Sequence, residues 1–125
     1  MSTYTQGQQH QAKDVTTVIA SAAVAANRFI AYDGAYATAA GGAHDCQGIS
    51  QTAAAMGEPV PGVTGYSYLI QASEALAVGD YVKPATDGSG RGAKGTLADH
   101  CGRALGAASA AGQLVECQVV KHVHA

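Results

Sequence analysis

Residues 114–123 read LVECQVVKHV, the longest β-prone run in the chain. Successive side chains on a strand point to opposite faces. One face therefore carries Leu114, Glu116, Gln118 and Val120, and the other Val115, Cys117, Val119, Lys121 and Val123. The second face is the cleaner one and is predicted to meet the core. Partner strands are legible around it. VTTVIA (15–20) is β-branched, RFIAY (28–32) ends at an Asp33-Gly34 turn, YSYLIQ spans 66–71, DYVK (80–83) stops at Pro84, and a short run covers Arg103 to Leu105. Gly48 to Thr52 is a weaker strand. Val60 to Val63, set among Pro59, Pro61 and Gly62, reads as a loop or an edge. DGSGRGAKG (87–95) reads as a flexible loop. The alanine-rich stretches Ser21–Ala26, Thr52–Met56 and Ala107–Ala111 favour helix by propensity but are too short to nucleate more than a turn. The fold class is all-β: a compact barrel or sandwich of short strands with at most short helical turns.

The order of these segments repeats. CQGISQTAAAMGEPV (46–60) aligns with CGRALGAASAAGQLV (101–115) at an offset of 55, matching Cys46 with Cys101, Gly57 with Gly112 and Val60 with Val115. Earlier residues match at an offset of 52: Ala20-Ser21 with Ala72-Ser73, and Phe29-Ile30 with Tyr81-Val82. Three extra residues then lie between, most simply in the glycine-rich loop. The expectation is a single β domain over 14–125, built from two duplicated halves at about 15–63 and 66–120 and packed about a pseudo-twofold.

Composition narrows the function classes. The chain has 125 residues, enough for one domain with a real core. Charged residues make up 13%, about half the usual share, a surface better suited to protein contact than to life as an isolated monomer. The net charge of −2 and the scattered Lys and Arg argue against binding nucleic acid. No segment resembles a signal peptide, and none is long and apolar enough to span a membrane. Three widely spaced cysteines, Cys46, Cys101 and Cys117, are not a disulfide framework and read as buried thiols of a protein made in the cytoplasm. Met1 to Lys13 is polar, Gln-rich and nearly free of aliphatic side chains, which reads as an extended arm.

Two clusters could carry chemistry. His44-Asp45-Cys46 and Asp99-His100-Cys101 each bring together the side chains of a thiol nucleophile. Neighbours on a strand face opposite ways, so only cross-pairing such as His44 with Cys101 could work. His122 and His124 share a strand face, but two ligands do not make a metal site. The glycine-rich loop lacks the following helix that a phosphate cradle needs. Neither catalytic residue, metal nor cofactor is expected. Tyr66 and Tyr68, on one strand face, are core side chains or interface anchors.

The segments Ala77-Val78-Gly79-Asp80-Tyr81-Val82 and Gly102 to Val119 resemble the phage head decoration, or cement, proteins, and the likeness runs from about Val15 to Val120. The His100-Cys101 pair and the proline-interrupted first half depart from that pattern. The resemblance implies a structural protein, not an enzyme, on the exterior of the virion capsid. Its partners would be the major capsid protein and further copies of itself, as a homodimer or homotrimer, with no nucleic acid or membrane. It would cement neighbouring capsomers against the pressure of packaged DNA. On that reading the arm residues Tyr4, Gln8, Gln9, His10 and Lys13 are candidate capsid contacts, and Tyr66 and Tyr68 candidate anchors. Other readings are a head-fibre or spike base and a small carbohydrate-binding β-module; the absence of Trp weighs against the latter.

Overall fold

The computed structural model describes residues 14–38 and 40–123. Among these, nine strands form two antiparallel sheets: β1 (Val15–Ile19), β2 (Phe29–Ala31), β3 (Cys46–Ser50), β4 (Pro59–Val63), β5 (Ser67–Gln71), β6 (Tyr81–Pro84), β7 (Gly92–Lys94), β8 (His100–Ala104) and β9 (Leu114–Val123). The first sheet has the order β1-β4-β3-β2 and the second β5-β9-β8-β6-β7. A 3-10 turn at Gly42–His44 is the single helical element described. The chain is therefore an all-β sandwich.

Without β7, the two orders are the same path, and several main-chain hydrogen bonds recur at matching positions. Val24 and Ala54 exchange both main-chain bonds at 2.9 and 3.0 Å, and Leu76 and Ala108 do so at 2.9 Å. Ala20 N–H donates to Glu58 O, and Ala72 N–H to Gln113 O. Asn27, at φ 62°, takes the place that Gly79 takes at φ 89°. The alanine-rich stretches thus form isolated bridges rather than helical turns. The offset is 52 up to β6 and 54 from Gly48/Gly102 to Ala54/Ala108. It becomes 55 from Gly57/Gly112 onward. Two of the three extra residues therefore lie between β6 and β8, and one at the later hairpin tip. The ladder aligns Gly48 with Gly102, one residue off the Cys46–Cys101 match.

Each half closes a small core of its own. In the first it is Val18, Ala20, Val24, Ile30, Ala54 and Val60. The corresponding residues of the second are Ile70, Ala72, Leu76, Val82, Ala108 and Val115. The halves do not pack about a twofold, which would bury the same face of each. They pack front to back. Phe29, Ala31, Cys46 and Ile49, on the reverse face of the first sheet, complete the core of the second half. Phe29 and Ile49 are fully buried. Their counterparts on the reverse of the second sheet are Tyr81 and Arg103, stacked with the guanidinium 4.6 Å from the ring centroid. An exposed arginine there ends the stacking at two, as a polar outer face caps a repeat array.

Three local expectations need correction. Residues 59–63 are not an edge: β4 lies between β1 and β3. Its prolines are tolerated because Pro59 and Pro61 aim their main chain at β3, which ends at Ser50, so no ladder bond needs their missing N–H. The glycine-rich loop is pinned, not loose. Its Gly90 O accepts from Phe29 N–H at 2.7 Å, Arg28 Nη1 donates to Ser89 O at 2.8 Å, and residues 92–94 pair with β6. Gly90 must be glycine, since a Cβ would fall 2.5 Å from the Tyr36 ring. In β9, Val115 and Cys117 face the core as expected, but Lys121 and Val123 are exposed and His122 is buried. Between Gly102↔Val119 and His100↔Val123, β9 runs two residues longer than β8, and this irregularity breaks the alternation.

The equivalent strand glycines Gly48 and Gly102 leave no room for a side chain. A Cβ on Gly48 would sit 2.5 Å from Val63 O, and one on Gly102 2.5 Å from Cys117 Sγ and 2.6 Å from Gln118 O. Gly48→Ala and Gly102→Ala should each lower stability by about 1–3 kcal/mol in urea unfolding. Gly62→Ala, whose Cβ would meet nothing nearer than 3.7 Å, should be neutral or mildly stabilising.

Candidate functional site

The His, Asp and Cys residues do gather, but as a junction between the halves. The β9 irregularity buries His122, whose Nδ1 accepts from Cys46 N–H at 2.9 Å. A neutral ring then carries its proton on Nε2, which faces Asp99 Oδ1 at 3.6 Å, and Asp45 Oδ1 stands 3.7 Å from Nδ1. Asp99 in turn faces Lys83 at 3.8 Å. Asp45 and Cys46 belong to the first half; Lys83, Asp99 and His122 belong to the second. The sequence drew attention to His122 only as sharing a strand face with His124, which lies outside the described residues.

The thiols are set against nucleophilic chemistry. Cys46, Cys101 and Cys117 are all buried and free. Desolvation, then the neighbouring Cys46 thiol, pushes the Cys101 thiol well above its ordinary range. Desolvation, then the charge Cys46 would carry, does the same to Cys117. A reactive cysteine needs the reverse: partial exposure and a stabilised thiolate. The cross-pair of His44 and Cys101 that such chemistry would need is not formed: exposed His44 pairs with Asp33 at 3.0 Å. His100 stacks on Tyr81 at 4.6 Å, and its Nδ1 lies 3.1 Å from the carbonyls of Thr96 and Leu97. Among the described residues no group of three His, Cys, Asp or Glu side chains could hold a metal ion.

A hollow lined by Thr38, Ala40, Lys83, Pro84, Ala85, Thr86 and Gly88 measures about 220 Å³ and has one charged side chain, Lys83, on its wall. That is below the range of about 300–1,000 Å³ typical of ligand pockets. In the glycine-rich loop, hydrogen bonds from Ser89, then the charge of Arg91, hold the exposed Asp87 carboxyl below its usual range. That is an Asx turn, not a phosphate cradle.

The outer surface is the more informative feature. Met56 and Leu97 are 71% exposed, Val78 68% and Ile19 59%, and Val15, Leu69, Leu105 and Leu114 are also exposed. Of the two tyrosines, Tyr68 packs against the larger core while Tyr66 stands exposed. Tyr4, Gln8, Gln9, His10 and Lys13 lie outside the described residues. No described helix is long and apolar enough to cross a membrane.

The described structure is thus a small sandwich with polar side chains at the seam between its halves and apolar ones displayed on its turns and outer strands. The chain belongs to the phage cement proteins, whose family model matches residues 8–119. It is a phage capsid-associated structural protein. No curated protein matches it. Among solved structures it is similar to the N base of the head fibre gp8.5 of bacteriophage phi29. The TM-score is 0.63 and the identity 17%, covering 90% of this chain and 98% of that one. At that identity the likeness concerns the fold.

The junction makes two predictions. In the native protein a thiol reagent such as an aromatic disulfide should titrate none of the three cysteines on the timescale of minutes, and all three after denaturation. His122→Ala should cost about 1–3 kcal/mol in unfolding, because it strips the buried Cys46 N–H of its acceptor.

Proposed function

We propose that this protein binds the outside of the mature phage capsid and ties neighbouring capsomers together against the pressure of packaged DNA. The observation that carries the reading is the family match over residues 8–119. The sparsely charged surface with its exposed aliphatic side chains supports it, since such a surface favours contact with protein. Many modest contacts around one shell suffice, because copies that bridge capsomers gain avidity without strong individual interfaces. Homodimers or homotrimers at symmetry axes would fit this mode. Tyr66 is the proposed anchor of the two tyrosines, being the exposed one, and Tyr4, Gln8, Gln9, His10 and Lys13 are proposed contacts from the arm.

A second reading, the base of a head fibre, is favoured by the likeness to the phi29 head-fibre base. The two differ in what the bound chain does: a cement stiffens the shell, whereas a fibre base presents another module.

Co-sedimentation of the purified chain with expanded heads stripped of decoration should show saturable binding, in simple proportion to capsomers, and unexpanded proheads should bind little. Decorated heads should also resist heat or chelation better than bare ones. Binding without that gain favours the fibre base, and absence of binding to either particle refutes both. Removing residues 1–13 should leave the unfolding midpoint unchanged and weaken head binding; unchanged binding would refute the arm contacts.

A further inference from the structure

The two halves treat equivalent sheet edges differently. Strands β1 and β5 are the matching first strands, and each pairs with one neighbour, β4 and β9 respectively. On β5 the outer edge is capped by the first half. Asn27 Nδ2 donates to Leu69 O at 2.9 Å, and Asn27 O accepts from Gln71 N–H at 3.0 Å. The counterparts of Leu69 and Gln71 are Thr17 and Ile19. Asp14 O accepts from Thr64 N–H beside β4, so the alternation aims the main chain of Val15, Thr17 and Ile19 outward. No hydrogen bond from a described residue reaches Val15 or Thr17 on that side.

This edge, which no described residue caps, also lacks the usual protections. Val15-Thr16-Thr17-Val18-Ile19 has no charge, no proline and only β-branched residues, and its Val15 and Ile19 side chains are 43% and 59% exposed. Edge strands are ordinarily blunted with Lys, Pro or a bulge, because a bare edge templates another strand.

We propose that the β1 edge accepts an extended segment of the capsid shell protein as an added strand, an assignment that rests on the capsid-binding reading above. The segment enters from the Val15 end, since the Asp33-Gly34 turn lies against Ile19 O and closes the other end. It is uncharged opposite β1 and places β-branched or aromatic side chains beside Val15 and Ile19. A second copy fits this edge poorly. Twofold pairing of two β1 strands about Thr17 would set Val15 against Ile19, whose carbonyl is already covered. Nor can another copy offer the cap that β5 receives. The counterpart of Asn27 is Gly79, which has no side-chain amide and whose carbonyl is taken by Arg103 at 2.9 Å.

Thr17→Pro tests this, because it deletes an outward N–H and places a ring on the edge while leaving the β1–β4 bonds in place. The double variant Val15→Lys/Ile19→Lys charges the same edge without touching the backbone. Both are compared with the wild type for unfolding midpoint, sedimentation and binding to expanded heads. The expected result is a near-wild-type midpoint, a wild type whose oligomeric state the variants share, and at least tenfold weaker head binding by both variants. If the wild type binds heads and a folded variant binds equally well, the edge assignment is overturned while the capsid reading stands. Failure of the wild type to bind heads overturns both. A wild-type oligomer that the variants dissolve would assign the edge to a second copy and overturn the proposal.

Discussion

Phe29 and Ile49 protrude from the back of the first sheet and fill the open side of the second half's core, and most of the architecture depends on that contact. A half of this size has too little core to hold itself together; six small or medium side chains cannot offset the ordering of some fifty residues. Inserting the back of one half into the front of the other produces one larger core that both share. Truncating such a buried aromatic typically costs about 3–5 kcal/mol, a large part of the stability of any small domain.

Front-to-back packing has a directional consequence. A twofold arrangement would leave both halves with the same exposed surface; this one leaves two different ends. At the second half, the surface that would continue the stack carries Arg103 over Tyr81, with Arg103 also donating to the Gly79 carbonyl. Desolvating that arginine against an apolar core would be costly, so the series stops. At the first half, no described residue caps the β1 edge, whereas its counterpart on β5 is taken by Asn27. Among the described residues the two ends of the stack are therefore different surfaces.

The polar groups follow the same logic. His122, Asp45 and Asp99 resemble parts of a catalytic apparatus in isolation, yet they sit where the two halves meet, and His122 accepts the main-chain N–H of Cys46. His122 thereby satisfies a buried main-chain donor at a seam, where an unmade hydrogen bond would be expensive. The thiols beside them are small apolar fillers.

Much of this was legible in the amino-acid order. Alternation in residues 114–119, the β-branched run at 15–20, the aromatic–aliphatic pairs at 29–30 and 81–82 and the spaced glycines determine short antiparallel strands, because these are local properties of side-chain direction and backbone freedom. The family likeness was carried by the same local features. What the order of residues left open depends on neighbours distant in sequence. Prolines 59 and 61 fit an interior strand only because β3 has already ended beside them. His122 turns inward only because β9 runs longer than β8 past Val119. Which face of each half meets the other was also undecided, since Phe29 and Ile30 are equally apolar and point opposite ways. Only the assembled sheets decide that Ile30 closes its own half and Phe29 joins the two.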